Sequence, residues 1–228
     1  ANVRQWGNAT TLYMADSGGV FPENGSATAD GLVANKDIRE NSKAWFNALP
    51  RYIGTLPMSN MWGQSDAKLR MPRPPVKSPF ICPSAKPELT IPPTEYRTYY
   101  SSYAQGCWVD AGANARGCAG PGSSGLSKVL RMSQVKNPAT FPIMAENASG
   151  AVGAQRGYRL AHTHARIMGS PDSGDAFRHN GKANICFADG HAASFDKDAI
   201  YDSSMGDLYS NYGAIQWNPD RNLDGTCP

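Results

Sequence analysis

The residues of this sequence with the most evident capacity for chemistry are its four histidines, which lie between residues 162 and 191. His162-Thr-His164 would place two imidazole rings on one face of a strand, because strand side chains alternate between faces. Two such rings are suitable zinc ligands. Together with His179, His191 and Asp189 they predict, as one alternative, a metal-dependent hydrolase. No Asp or Glu near His162 offers a general base, so this is the lesser alternative.

A second metal-binding pattern lies within residues 216–228. Asp220, Asn222 and Asp224 alternate with other residues and are followed by Gly, which matches the first half of a calcium-binding loop. The bidentate Glu that completes such a loop is missing, so further ligands would come from elsewhere in the chain. The sequence predicts calcium at these three residues, and the alternative is a solvated turn rich in Asp and Asn.

Five cysteines raise the question of disulfides. None falls in a Cys-x2-Cys pair, which argues against a structural zinc site. Cys107 and Cys118 flank a loop rich in Gly and Ala, and a disulfide closing this loop is typical of a secreted protein. The alternative is a pair of reduced thiols in a cytosolic protein. The sequence leaves open how Cys82, Cys186 and Cys227 pair, and one of the five stays unpaired or pairs between chains.

Motifs for nucleophilic catalysis or phosphate binding are weak or lacking. The sequence has no Gly-x-Ser-x-Gly elbow and no Cys at a predicted helix start. The Gly-containing segment 150–157 has loop-like neighbours and does not follow a strand. The five Trp and ten Tyr could form a glycan-binding surface, with Trp62 and Trp108 as candidates, or could simply fill the core and the loops. We therefore predict a protein that is not an enzyme.

Length and composition indicate a single globular domain over residues 1–228. The chain is 40% hydrophobic and 18% charged, with 23 Gly and 17 Pro, which is typical of a loop-rich fold. A net charge of +3 with scattered basic residues argues against nucleic acid as a partner. The sequence contains no run of about 18 apolar residues, so no membrane span is predicted within it. The start at Ala1, without Met or a signal peptide, suggests a trimmed or processed product.

The N-terminal elements are predicted to be helical. Residues 1–16 carry apolar side chains at helical spacing, at Val3, Trp6, Thr10 and Tyr13, and Gly residues follow Asp16. We interpret them as the end of a longer helix. A second helix is predicted from about Lys36 to Leu49, closed by Pro50.

Downstream of a loop-rich insertion, residues 50–125, the pattern favours strands. Strands are predicted at Tyr96–Tyr103 and Phe141–Ala145, and a strand or short helix at Leu126–Val135. The segment 177–197 carries two apolar runs, Ala183–Ala188 and His191–Phe195, joined by Asp189-Gly190. This pattern predicts a hairpin with a type I′ turn. The predicted class is α+β, with the N-terminal helix on an antiparallel sheet.

Several segments together resemble a family of bacterial prepilin-like proteins related to type II secretion pseudopilins. The C-terminal pattern is His179-x9-Asp189-Gly190, with Arg before the His and Asn-Gly after it. The other segments, in family order, are NVRQWGNATTLYMADSGGVFP, AWFNALPRYIG, FICPS and VKNPATFPIMAE. The family typically has a run of small apolar residues ending in Asp at the position where this chain has Ala145-Glu146. In this interpretation Asp189 and Gly190 form a turn, and His179 makes a structural hydrogen bond, for example to a backbone carbonyl.

The resemblance implies a pilin fold and a filament-forming role. Members of the prepilin-like family are made as membrane-anchored precursors and are cut by a prepilin peptidase. They assemble into a filament through a hydrophobic helix, which is not part of this sequence. The resemblance also strengthens the expectation of calcium near the C-terminus. The implied location is periplasmic or extracellular, and the implied partners are other pilin-like subunits, with a secreted protein or a glycan as further candidates. The alternative function is a secreted glycan-binding or adhesin module.

Overall fold

One long helix lies against an antiparallel sheet in this protein, as a computed structural model describes it. The described residues are 2–23, 42–61, 77–84, 102–105, 130–146, 177–196, 199 and 215. Within them the predicted α+β class is confirmed. No helix in these ranges combines the length and apolar character needed to cross a bilayer.

The helix, α1, spans Asn2–Asp16 and buries one face. The buried side chains include Val3, Trp6, Thr10 and Met14, which recur every three or four residues and so form one stripe. Gly18 and Gly19 follow with φ of 66° and 80°. Because such left-handed angles suit Gly and disfavour other residues, they end the helix here, as predicted.

Four strands form the sheet in the order β1-β2-β3-β4, and each neighbouring pair is antiparallel. The strands are β1 (Tyr103–Gln105), β2 (Pro142–Glu146), β3 (Lys182–Phe187) and β4 (Ala192–Asp196). The register aligns Tyr103 with Glu146 and Ala145 with Ile185. A bulge interrupts the pairing between Pro142 and Met144. The predicted strands β2, β3 and β4 are confirmed, and each of their ends lies within one residue of the prediction.

The turns at the two ends of β3 differ from the prediction. The Asp189-Gly190 connection is not a type I′ turn, because among the described residues of this turn only Gly190 has positive φ, at 90°. Ala188 enlarges the connection, and the Asp189 carboxylate accepts the His191 N–H at 3.1 Å, which favours an ordinary turn followed by a left-handed Gly. The type I′ turn lies instead at Asn180-Gly181, where both φ angles are positive, at 54° and 79°.

The predicted second helix, Lys36–Leu49, is helical over only part of its described residues. Residues 36–41 lie outside the described ranges, and within those ranges helix α2 covers only Trp45–Ala48. Ala44 is extended because the main chain on either side of it bonds to Glu23, through Lys43 O and Trp45 N. Pro50 does not close the segment but begins a 3-10 helix, Pro50–Ile53, and α3 follows at Met58–Met61.

The remaining strand predictions are met in part. Tyr103 is the only described residue of the predicted strand Tyr96–Tyr103 that is in a strand, and β1 continues beyond it to Gln105. Residues 96–101 lie outside the described ranges. In the segment Leu126–Val135 the described part contains a short 3-10 helix, Met132–Gln134, rather than a strand.

Aromatic rings and one glycine define how α1 meets its neighbours. Trp6 lies 5.2 Å from Trp45 and 4.9 Å from Phe80, measured between ring centroids, and all three rings are fully buried. Gly7 faces Cys186 of β3 so closely that a Cβ at position 7 would lie 3.4 Å from the Cys186 Cβ and well inside contact with its sulfur. Gly7 is therefore required for the close approach of α1 to the sheet.

Candidate metal centre

Three side chains of different chemistry meet beside the end of β2. Cys82, Glu146 and His179 each direct a potential ligand atom to the same point, and these atoms all lie within 4.8 Å of one another. The three residues come from three separate parts of the chain: the segment 77–84, the last residue of β2, and the turn before β3. Tertiary packing alone brings them together.

Helix α1 positions the segment that carries Cys82. The Trp6 indole donates to Pro79 O at 2.9 Å, and the Asn2 side-chain amide donates to Ile81 O at 2.8 Å. On the other side, Ser102 N–H donates to Phe80 O at 2.8 Å, just before β1. With Phe80 also buried against Trp6, the backbone leading to Cys82 is held from both sides.

Glu146 is held by the sheet. It ends β2 opposite Tyr103 of β1, and its side chain is 2% exposed. Its Oε2 accepts the Asn184 N–H at 2.8 Å and the Asn184 side-chain amide at 3.2 Å. These two bonds use one carboxylate oxygen and leave Oε1 directed at His179. A buried carboxylate needs such partners, since an unpaired charge in the interior is costly.

The type I′ turn at Asn180-Gly181 holds the backbone of His179. His179 and Lys182 exchange two backbone hydrogen bonds, at 3.2 Å and 3.1 Å, which is the tight pairing expected around a two-residue turn. The imidazole points toward Glu146 and is 32% exposed. Its predicted structural hydrogen bond thus exists in this structure, but the partner is a side-chain carboxylate rather than a backbone carbonyl.

Both neighbours of His179 approach the same ring nitrogen. Nε2 lies 2.7 Å from Glu146 Oε1 and 3.3 Å from Cys82 Sγ. In a Cys-His-carboxylate nucleophilic triad the thiol and the carboxylate occupy opposite ring nitrogens, so that the carboxylate orients the base toward the thiol. The arrangement here lacks that geometry. It is closer to a set of ligands around one centre.

Tyr103 borders this cluster from β1. Burial raises the pKa of the Tyr103 hydroxyl, the adjacent Cys82 and Glu146 raise it further, and so does a hydrogen bond with the Cys82 side chain; Arg178 acts in the opposite direction. Tyr103 therefore keeps its proton over the physiological range and can hydrogen-bond the sulfur. The sulfur consequently has a polar neighbour besides the imidazole.

His191 and Asp189, which the hydrolase alternative grouped with His179, are separate from this cluster. His191 Nδ1 lies 2.6 Å from Asp189 Oδ1, and its ring stacks on Phe187 with centroids 4.5 Å apart. His179 and His191 adjoin opposite ends of β3, which spans Lys182–Phe187, or roughly 16 Å at the usual rise per residue. These two rings do not share a site. Asp189 and Gly190 lie in the turn, as predicted.

Several predicted site residues lie outside the described residues. They are the proposed calcium ligands, the proposed disulfide partners, the first two histidines and the two tryptophans, namely Asp220, Asn222, Asp224, Cys107, Cys118, His162, His164, Trp62 and Trp108. The two cysteines among the described residues, Cys82 and Cys186, are free thiols and are buried.

Sequence reasoning missed two of the three residues of the cluster. Cys82 enters the sequence predictions only as a disulfide partner, and Glu146 only as a departure from a family pattern. A usable signal is present, because Glu146 ends the apolar run Phe141–Ala145, where burial is to be expected. A carboxylate at such a position requires a partner.

Comparisons with known proteins add no assignment to this geometry. No family model, no curated protein and no solved structure matches the chain.

Proposed function

We propose that this chain is the ectodomain of a pilin-like subunit, related to type II secretion pseudopilins, that packs with other subunits in a periplasmic or surface filament. The observation that carries the proposal is the packing of α1 along one face against a four-stranded antiparallel sheet. That is the arrangement which the sequence resemblance implies.

The resemblance pattern has a structural use in this fold, and this supports a role without catalysis. His179-Asn180-Gly181 forms the turn that enters β3, and Asp189-Gly190 forms the turn that leaves it. A pattern whose residues hold the two ends of one strand supports a common fold more directly than a common reaction.

The exposed side of α1 offers the surface for packing between subunits. Arg4, Gln5, Asn8 and Leu12 lie opposite the buried stripe and are exposed. Leu12 is one of two large apolar side chains that the described residues leave exposed, at 50%; the other is Leu56, at 45%. A single exposed Leu is ordinary on a protein surface. A Leu on the outer side of the helix is nonetheless the natural apolar contact for a neighbouring subunit.

The proposal is tested first on the gene and then in cells. The reading frame upstream of Ala1 should encode a short leader and about 20 apolar residues, enough to span a bilayer. The full-length protein should then be recovered in the filament fraction after shearing and ultracentrifugation. Leu12→Glu should reduce this recovery, because a charge would have to be desolvated in the subunit contact.

Leu56→Glu is the matched control, since it alters the other exposed Leu and should leave filament recovery unchanged. Melting temperatures of both variants equal to that of the wild-type protein would show that the fold is intact. A frame that encodes an ordinary secretion signal directly before Ala1 would refute the proposal. So would equal filament recovery for the Leu12 variant and the wild-type protein.

A further inference from the structure

The cluster of Cys82, Glu146 and His179 has a use beyond holding the fold. We propose that these three residues bind one divalent transition-metal ion of the zinc class, with a fourth position open to water or another ligand. The inference is independent of the filament proposal, because it rests only on the chemistry and geometry of the three side chains.

The first argument is the convergence on one nitrogen. Nε2 of His179 can carry a single proton, yet it faces both a carboxylate oxygen at 2.7 Å and a sulfur at 3.3 Å. One N–H cannot point along both directions, because hydrogen bonds weaken steeply away from linearity. A cation placed between the three ligand atoms interacts favourably with all of them at once.

The second argument is the set of ligand types. Thiolate and imidazole favour zinc and its transition-metal neighbours, whereas calcium and magnesium prefer ligand sets made only of oxygen. Cys, His and one carboxylate are all established zinc ligands, and three protein ligands leave the fourth tetrahedral position free.

The distances are close to those of a metal centre. Zinc bond lengths and tetrahedral angles place a bound sulfur and nitrogen about 3.5 Å apart, and a bound nitrogen and oxygen about 3.4 Å apart. The observed separations are 3.3 Å and 2.7 Å. These two pairs therefore have to move apart by less than 1 Å. The sulfur–oxygen pair, which lies within 4.8 Å, would be about 3.6 Å apart around zinc, so it closes rather than opens if it is near that limit.

The surroundings of the three ligands also suit a metal. Metal ligands are usually oriented by hydrogen bonds from an outer shell. Here Asn184 holds the far oxygen of Glu146, and Tyr103 hydrogen-bonds the Cys82 side chain. Cys82 and Glu146 are buried while the His179 side chain is 32% exposed, so an ion would enter past the imidazole.

The test uses the whole chain of 228 residues, reduced and treated with chelator, then titrated anaerobically with Zn²⁺ or Co²⁺ alone. We expect one ion per chain by calorimetry, and with Co²⁺ the near-ultraviolet charge-transfer band of a cobalt–thiolate bond. Zn²⁺ at a hundredfold excess over its dissociation constant should raise the melting temperature by about 5–10 °C.

Variants distinguish this site from metal binding by the other cysteines and histidines. Cys82→Ser should abolish the cobalt–thiolate band, whereas Cys186→Ser, which removes the other buried thiol of the described residues, should retain it. Glu146→Gln alters a ligand itself and should weaken binding by at least the roughly 10–100-fold that loss of an outer-shell partner costs. If Cys82→Ser fails to fold by circular dichroism, His179→Gln replaces it, since the His179 side chain is partly exposed and a Gln amide can still donate a hydrogen bond to the buried Glu146 carboxylate.

Two outcomes would overturn the proposal. One is a wild-type protein that shows neither stoichiometric binding nor the cobalt–thiolate band. The other is a folded Cys82→Ser or His179→Gln variant that binds Co²⁺ with the wild-type spectrum and affinity, because the ion would then lie elsewhere.

Discussion

Replacing Gly7 with Ala tests whether α1 is seated on β3 as closely as the structure describes. A Cβ at position 7 would overlap the Cys186 sulfur and lie 3.4 Å from the Cys186 Cβ. Both residues are buried, Cys186 completely, so little free space is available for either side chain to turn away. We expect Gly7→Ala to destabilise the fold, although Ala is the better helix former.

The magnitude follows from two opposing contributions. Ala in place of Gly within a helix gains about 0.5–1 kcal/mol of stability. An extra methyl group in a packed core costs about 1–3 kcal/mol. Because the overlap is with a buried sulfur, the cost should prevail, and the free energy of unfolding should fall by about 1–2 kcal/mol. For a chain of this size, that lowers the melting temperature by about 2–8 °C.

The assay is urea unfolding under reducing conditions, arranged as a double-mutant cycle. Cys186→Ala removes the sulfur and leaves an ordinary contact at 3.4 Å. It should therefore rescue Gly7→Ala, with a coupling of about 1–3 kcal/mol between the two sites. Asn8→Ala, on the exposed side of α1, is the control and should not destabilise the fold. A Gly7→Ala protein at least as stable as the wild type, or strictly additive losses in the cycle, would refute the described packing.

Three further predictions concern the cluster, its turn and the buried thiol. In chelator, Glu146→Ala should lower the free energy of unfolding by about 1–3 kcal/mol, because it leaves the Asn184 N–H and the His179 ring without the carboxylate, and Glu146→Gln should cost clearly less. Equal losses for the two variants in urea melts would argue against the carboxylate's role. Gly181→Ala should cost about 1–2 kcal/mol by chemical denaturation because φ is 79°, and Gly181→Asn less, since Asn tolerates this region. Burial raises the pKa of Cys186 from 9.0 to about 12. Because the folded-state pKa lies above the unfolded value, the buried neutral thiol contributes its full stability below pH 9, and this contribution is lost as the pH rises toward 12. In urea melts at increasing pH, the free energy of unfolding should therefore decline by up to about 1.4 kcal/mol per pH unit above pH 9, and Cys186→Ala should lack this decline.

Local patterns predicted the elements whose sequence and environment agree. The apolar stripe of α1 and the apolar runs of β2 and β3 each carry their own periodicity, so these elements were found within a residue or so. The start of the second helix was not predicted correctly over its described residues, because Ala44 is held extended by hydrogen bonds between its neighbours and Glu23, which is distant in sequence. Such a contact leaves no periodic trace in the segment itself.

Turn chemistry was present in the sequence but was assigned to the wrong dipeptide. Both Asn180-Gly181 and Asp189-Gly190 are dipeptides typical of type I′ turns. Only the first has just two residues between paired positions, His179 and Lys182. At the second, Ala188 extends the connection and the Asp189 side chain bonds to the backbone ahead of it.

The candidate metal centre could be predicted only in part. His179 was singled out through the resemblance pattern, but its partners Cys82 and Glu146 lie in segments far away along the chain. Their meeting depends on the Trp6 bond to Pro79 and on the pairing of β1 with β2. No spacing rule connects three such segments, so the cluster becomes visible only once the tertiary structure is known.

The pairing of α1 with β3 also constrains how this protein is made. Ribosomes elongate at about 5–20 residues per second, so α1 would be synthesised about 9–34 s before β3 is complete. During that interval Trp6 and Met14 have no sheet to cover them, although both are buried in the finished fold, Trp6 completely. The apolar stripe of a newly made α1 therefore lacks its native partner until the β3–β4 hairpin has been synthesised.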